Sequence, residues 1–257
     1  MSGAMRAEWT KLRTTGGPVW LLLGAVALTV ALSVLVTAQV TCPAAGCTGD
    51  PTRLSLTGIQ LGQVVVVVLA VLVMGGEYST GMIRTTLAGV PRRERVLVAK
   101  AVTVAVPVLC AGTVAVLGCV LAGRLLLPGR GFTAAHGQPV VSLAAGPTLR
   151  AAAGSVLYLA LIALLSLGIA TLLRDTGATV GLVLALLYLS PILIQVITDT
   201  RWQRRLERWT PKAGLNIQAT TGLHSLPIAP WPGLGVLALW SAGALLAGMV
   251  ALRLRDA

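Results

Sequence analysis

The sequence predicts an all-α, polytopic membrane protein with six transmembrane helices, and three observations carry that prediction. Hydrophobic residues make up 56% of the 257-residue chain and charged residues only 11%, less than half the roughly 25% of an ordinary globular domain. A soluble fold has too few polar groups here to cover so much apolar surface, and disordered chains are poor in apolar residues. The charges are also gathered at regular intervals. The gaps Arg53 to Glu77, Lys100 to Arg124, Arg150 to Arg174 and Asp175 to Asp199 each enclose 23 uncharged residues. A bilayer core about 30 Å thick needs roughly 20 apolar residues in a helix. Finally, the apolar runs do not alternate. Val64-Val65-Val66-Val67-Val68 is the opposite of a barrel strand, whereas a helix satisfies its own backbone in lipid.

The elements follow in order. At the N-terminus, Met5, Trp9 and Leu12 fall at i, i+4 and i+7, with Arg6, Lys11 and Arg13 between them. This reads as a short interfacial helix; a basic tail that merely sets topology is the alternative. The first span is expected at about 18–40. It is longer than the 7–15 apolar residues of a cleavable signal, so no processing is expected. Cys42 and Cys47 share the loop that follows. An oxidising compartment would permit a disulfide there; two unpaired thiols are the alternative. The second span, 55–76, opens on Gly58 and Gly62, and the third, 101–123, carries Gly118 and Ala122. The sixth, 232–252, carries Gly243 and Ala247. Each pair has the small-residue spacing that lets helix backbones approach, and the pattern is compatible with a dimer seam. The fourth and fifth spans are expected at 151–173 and 177–198. The uncharged stretch Gly131 to Leu149 holds His136, Gln138 and two prolines, which makes it a loop, at most partly dipping. The whole chain, 1–257, reads as a single transmembrane domain.

Orientation follows from the basic residues. With the N-terminus inside, the inner segments hold eleven Lys and Arg and the outer segments nine. The early loops differ more clearly: Arg53 alone in the first, against Arg84, Arg92, Arg93, Arg95 and Lys100 in the second. The first spans usually dominate, so both termini are expected in the cytoplasm. Trp9, Trp20, Trp202, Trp209 and Trp231 fall near the span ends, as in an aromatic belt. The sequence pI near 11 reflects charges at membrane edges, which implies contact with anionic lipid rather than nucleic acid.

Several chemistries are missing from the sequence. The lysines, Lys11, Lys100 and Lys212, precede Leu, Ala and Ala, whereas a phosphate-binding loop needs Gly-Lys followed by Ser or Thr. Around Ser79 the string GEYSTG lacks the spacing of a nucleophile elbow. His136 and His224 have no metal-ligand spacing to the cysteines, and Cys110 and Cys119 read as small apolar residues. No catalytic, cofactor or metal site is expected. Ionisable residues inside spans mark proton relays and coupled carriers, and the charge gaps leave almost none. Gln60, Gln63 and Gln195 are the main polar residues within spans; helix-to-helix hydrogen bonding is the expected role, with substrate contact as the alternative.

The connector 76–100, GEYSTGMIRTTLAGVPRRERVLVAK, is far longer than a link between two spans requires. Ser79 or Thr80 can cap a helix. Ile83, Leu87 and Val90 then share one face, and Pro91 ends it. Glu77 at its entry suits a helix N-terminus. A short amphipathic helix offered to a protein partner is one reading, and a connector resting on the membrane surface is the other.

The strings EWTKLRT at 8–14 and GEYSTGMIRTTLAGVPRRERVLVAK at 76–100 resemble those of permease subunits of type-2 ABC exporters, particularly those of high-GC actinobacteria. The resemblance implies a permease in a bacterial plasma membrane, paired with a second permease copy in a homo- or heterodimer and driven by a separate ABC ATPase. ATP and magnesium would be used by that partner, with no cofactor in this chain. The helix at 79–90 would be the coupling helix, with Glu77, Tyr78, Met82, Ile83, Arg84 and Leu87 at the contact and Arg92, Arg93 and Arg95 flanking it. The segment Arg201 to Trp231 would match short extracellular helices before the last span. A membrane carrier of another class, and a scaffold or immunity protein that binds a cytoplasmic partner, are the competing functions.

Overall fold

In a computed structural model of the protein, residues 16–42, 49–79, 93–133 and 141–255 are described. The expected N-terminal interfacial helix and the amphipathic connector helix lie outside them. So do Cys47, Met82, Ile83, Arg84, Leu87 and Arg92. The protein is all-α, with no strand among the described residues. Six helices are long and apolar enough to cross a membrane, with mean hydropathy between 2.0 and 2.6.

These six are α1 (Gly16–Gln39), α3 (Ile59–Ser79), α4 (Arg93–Leu126), α5 (Gly146–Leu173), α6 (Thr176–Gln195) and α8 (Pro230–Arg255). Short α2 (Pro51–Ser55) and α7 (Thr200–Trp209) lie between them. Helices α1, α5, α6 and α8 match the expected spans to within a turn or so. The other two extend beyond the expected spans on the connector side. Helix α3 runs through Glu77, and α4 begins two turns before residue 101. Counting uncharged residues placed a membrane boundary at Glu77 and at Lys100, but those two charges neutralise one another and the helices continue past both.

Helix α5 is the centre of the bundle. Within its spanning window 67% of residues are buried, against 17% in α1, so α5 is enclosed by protein while α1 faces lipid. Its alanines and glycines allow close neighbours. Gly168 lies against the backbone of Ala244 and Leu245, and Gly248 against Thr171. Gly58 and Gly62 do pack as their spacing predicts, both against Thr29 of α1, and Gly118 packs against Val30; Ala122 is buried. Gly243 and Ala247 do not. Both are exposed, because α8 turns Ala244 and Gly248 toward α5 instead.

Two departures from regular helix have local causes. Helix α6 opens into a π turn at Ala185–Leu189 just before Pro191. Proline lacks an N–H and its ring crowds the carbonyl four residues back, here Leu187, and the wider turn accommodates it. After α7, residues Pro211–Gln218 form a 3-10 segment that is buried apart from Lys212. It lodges between α5 and α8, with Gly214 on the Tyr158 ring and Ile217 against Gly154. The stretch expected to be external helices is therefore half surface helix and half inserted segment. Backbone that departs from the α-helix at such a place is tolerated where protein surrounds it.

Candidate functional site

Polar side chains meet at three levels of the bundle, and each level involves α3 or the residues just before it. At one end, α3 and α4 are joined by a buried ion pair. Lys100 Nζ lies 2.7 Å from Glu77 Oε1, and the two side chains are 0% and 2% exposed. Lys100 stands in the run Val96 to Val104, where every other residue but Thr103 is apolar, so its ammonium has no water to turn to. A pair of this kind roughly balances its desolvation cost, but loss of one partner strands the other charge at about 3–5 kcal/mol.

The corner between α5 and α6 closes over the same place. Arg174 ends α5 in the left-handed region, φ 61°, an uncommon conformation for a residue with a side chain. Its amide bonds Ala170 O at 2.9 Å, and its guanidinium stacks 5.3 Å from the centre of the Tyr78 ring. Asp175 caps α6 by accepting from Ala178 N, and Thr176 fits into the space left by Gly75. Gly75, Glu77 and Tyr78 of α3 thus carry contacts to α6, α4 and the end of α5. At the rim, Arg253 of α8 pairs with Glu94 of α4 in an exposed bridge. Surface pairs of this type contribute little.

At mid-depth Gln63 joins three helices. Tyr158 of α5 donates to Gln63 Oε1 at 2.6 Å, and Gln63 Nε2 donates to the hydroxyl of Tyr188 at 2.8 Å. That hydroxyl donates in turn to the carbonyl of Gln60. The expected role for Gln63, hydrogen bonding between helices, is what the geometry gives. Gln195 is exposed. On the α1 side, Ser33 donates to Cys119 Sγ at 3.1 Å and accepts from Gly58 N at 3.1 Å.

At the far end Asp50 caps α2 through Thr52 N and Arg53 N. The same carboxylate accepts from Thr220 Oγ1 at 2.7 Å, from Thr220 N and from Thr221 N at 2.8 Å. Cys42, nearby in the chain, is disulfide-bonded, while Cys110 and Cys119 carry free thiols.

Of the residues expected at a partner contact, Glu77 is buried, Tyr78 is half-buried under Arg174, and Arg95 is exposed. Arg93 opens α4. Sequence reading missed Lys100 as the partner of Glu77, and missed Tyr158, Tyr188 and Asp50 altogether. A lone lysine inside an apolar run was the available signal, since such a charge requires a counter-charge. Among the described residues, no three His, Cys, Asp or Glu side chains gather to hold a metal ion. No protein-family model matches the chain, and no curated protein matches it.

Proposed function

We propose that the chain is the membrane-spanning permease subunit of an ATP-driven ABC exporter, set in a bacterial plasma membrane with its Glu77 end in the cytoplasm. The observation that supports this reading is the buried Glu77–Lys100 pair. It ties together the two helices between which the 80–92 connector runs, so a force applied to that connector moves α3 and α4 as one lever. From α3 the displacement passes through Gln63 to Tyr158 and Tyr188, which lie on α5 and α6.

In this reading Tyr78, Met82, Ile83, Arg84 and Leu87 touch the ATPase, with Arg92, Arg93 and Arg95 around them, and Glu77 holds the lever from inside. The ATPase supplies nucleotide chemistry that the lysine contexts of this chain do not provide. The test is affinity purification of the tagged protein from its native membranes, with and without the substitution Arg84→Glu. An ATPase subunit is expected to co-purify with the unaltered chain and to be lost from the variant while membrane insertion is unchanged. Recovery of no ATPase, or equal recovery with both chains, would overturn the proposal. Ion-gradient-driven transport by the protein alone in vesicles would favour a carrier instead.

A further inference from the structure

Helix α7 presents an apolar stripe that its own protein does not cover. Trp202, Leu206 and Trp209 fall at i, i+4 and i+7 and are 57%, 40% and 66% exposed. No residue of the helix is buried. Arg201, Arg204, Arg205 and Arg208 flank the stripe, with Glu207 the one acid among these ten residues. An amphipathic helix of this composition lies in the headgroup layer, with its aromatic residues toward the acyl chains.

Directly beneath Trp209 a groove of about 520 Å³ opens along α8 against α5, walled by Leu165, Ile169, Leu239 and Trp240 and floored by Gly243 and Ala247. Trp240 Nε1 donates to Trp209 O at 2.8 Å, which fixes α7 over the groove's upper end. From Val236 to Ala247 the groove runs about 16 Å along the helix, roughly half of a ~30 Å hydrocarbon core and so the depth of one leaflet. The lining is apolar throughout, and the absence of a side chain at Gly243 leaves the floor open: a Cβ there would meet nothing within 4 Å.

We propose that this groove and the arginines of α7 together bind one anionic phospholipid of the surrounding bilayer. An acyl chain lies along Gly243 and Ala247, and the phosphate is held by Arg201 and Arg205. Those two guanidinium groups make no hydrogen bond among the described residues, whereas Arg208 is tied to Pro227 O and Arg204 to Thr200 O. Arg205 instead stacks 5.6 Å from the centre of the Trp202 ring, which holds its charge at the interface. The charge of the flank selects an anionic headgroup.

Native mass spectrometry of the full chain, released from detergent with phosphatidylglycerol or phosphatidylcholine added, tests this. One phosphatidylglycerol is expected to survive collisional activation, with phosphatidylcholine lost first. The double variant R201Q/R205Q should bind it roughly thirtyfold more weakly, which is about 1 kcal/mol per arginine near the surface at tenfold per 1.4 kcal/mol. The variant Gly243→Leu should abolish retention of either lipid while leaving the helical content unchanged. Equal retention of both lipids, or retention unchanged in Gly243→Leu, would overturn the proposal. So would a lipid-free dimer that Gly243→Leu splits, since a second copy would then be the occupant.

Discussion

Thr220 donates both its hydroxyl and its amide to Asp50, joining parts of the chain 170 residues apart. The carboxylate also caps α2 through Thr52 and Arg53, so one side chain fastens the loop after α1 to the segment that enters α8.

Asp50→Asn separates these two roles. Asparagine is an equally good N-cap, but it removes the negative charge from the Thr220 and Thr221 donors. Hydrogen bonds to a charged group are worth about 1.5–3 kcal/mol, and a loss of that order is expected in equilibrium unfolding in mixed micelles. Thr220→Val should cost little more once Asp50 is already asparagine. Full additivity of the two substitutions would show that the contact does not form.

The ion pair at the other end makes a sharper prediction. Lys100→Met removes the ammonium 2.7 Å from Glu77 and should destabilise by about 3–5 kcal/mol, whereas Glu77→Gln with Lys100→Met should recover most of that loss, because the double variant buries no charge at this pair. The same unfolding assay checks it. If the double variant is no better than Lys100→Met alone, the pair is not formed.

Two glycines that each open a small-x-x-x-small pattern should respond differently. A methyl at Gly58 would overlap the carbonyl of Thr29, while one at Gly243 meets open space. Gly58→Ala is expected to cost about 1–3 kcal/mol, as overpacking does. Gly243→Ala should stay within about 0.5 kcal/mol, as surface changes do. Similar losses at the two positions would contradict the packing described.

These glycines also show what the sequence could and could not disclose. The six helices were legible because lipid imposes one length and one composition on every span. Which face each helix turns inward was not. Gly58-x-x-x-Gly62 and Gly243-x-x-x-Ala247 look alike on paper, and only the position of Thr29 beside one and of nothing beside the other tells them apart. Charge counting had a similar blind spot. Glu77 and Lys100 each resembled a water-facing boundary because their 2.7 Å partnership exists only in three dimensions. Tyr158 and Tyr188 sat in apolar runs with no mark to distinguish a lipid-facing aromatic from one that meets Gln63. Pro211–Gln218 was expected among the short external helices before the last span, although Gly154 and Gly214 open the space that receives it inside the bundle.

Helix α5 is enclosed where α1 and α6 are mostly open to the bilayer. That inequality limits how the molecule can change shape. The peripheral helices can slide or tilt while exchanging one greasy neighbour for another at almost no cost. The middle one would have to shed side chains fitted to alanine- and glycine-sized gaps. It is the axle of the assembly, and motion belongs to what surrounds it.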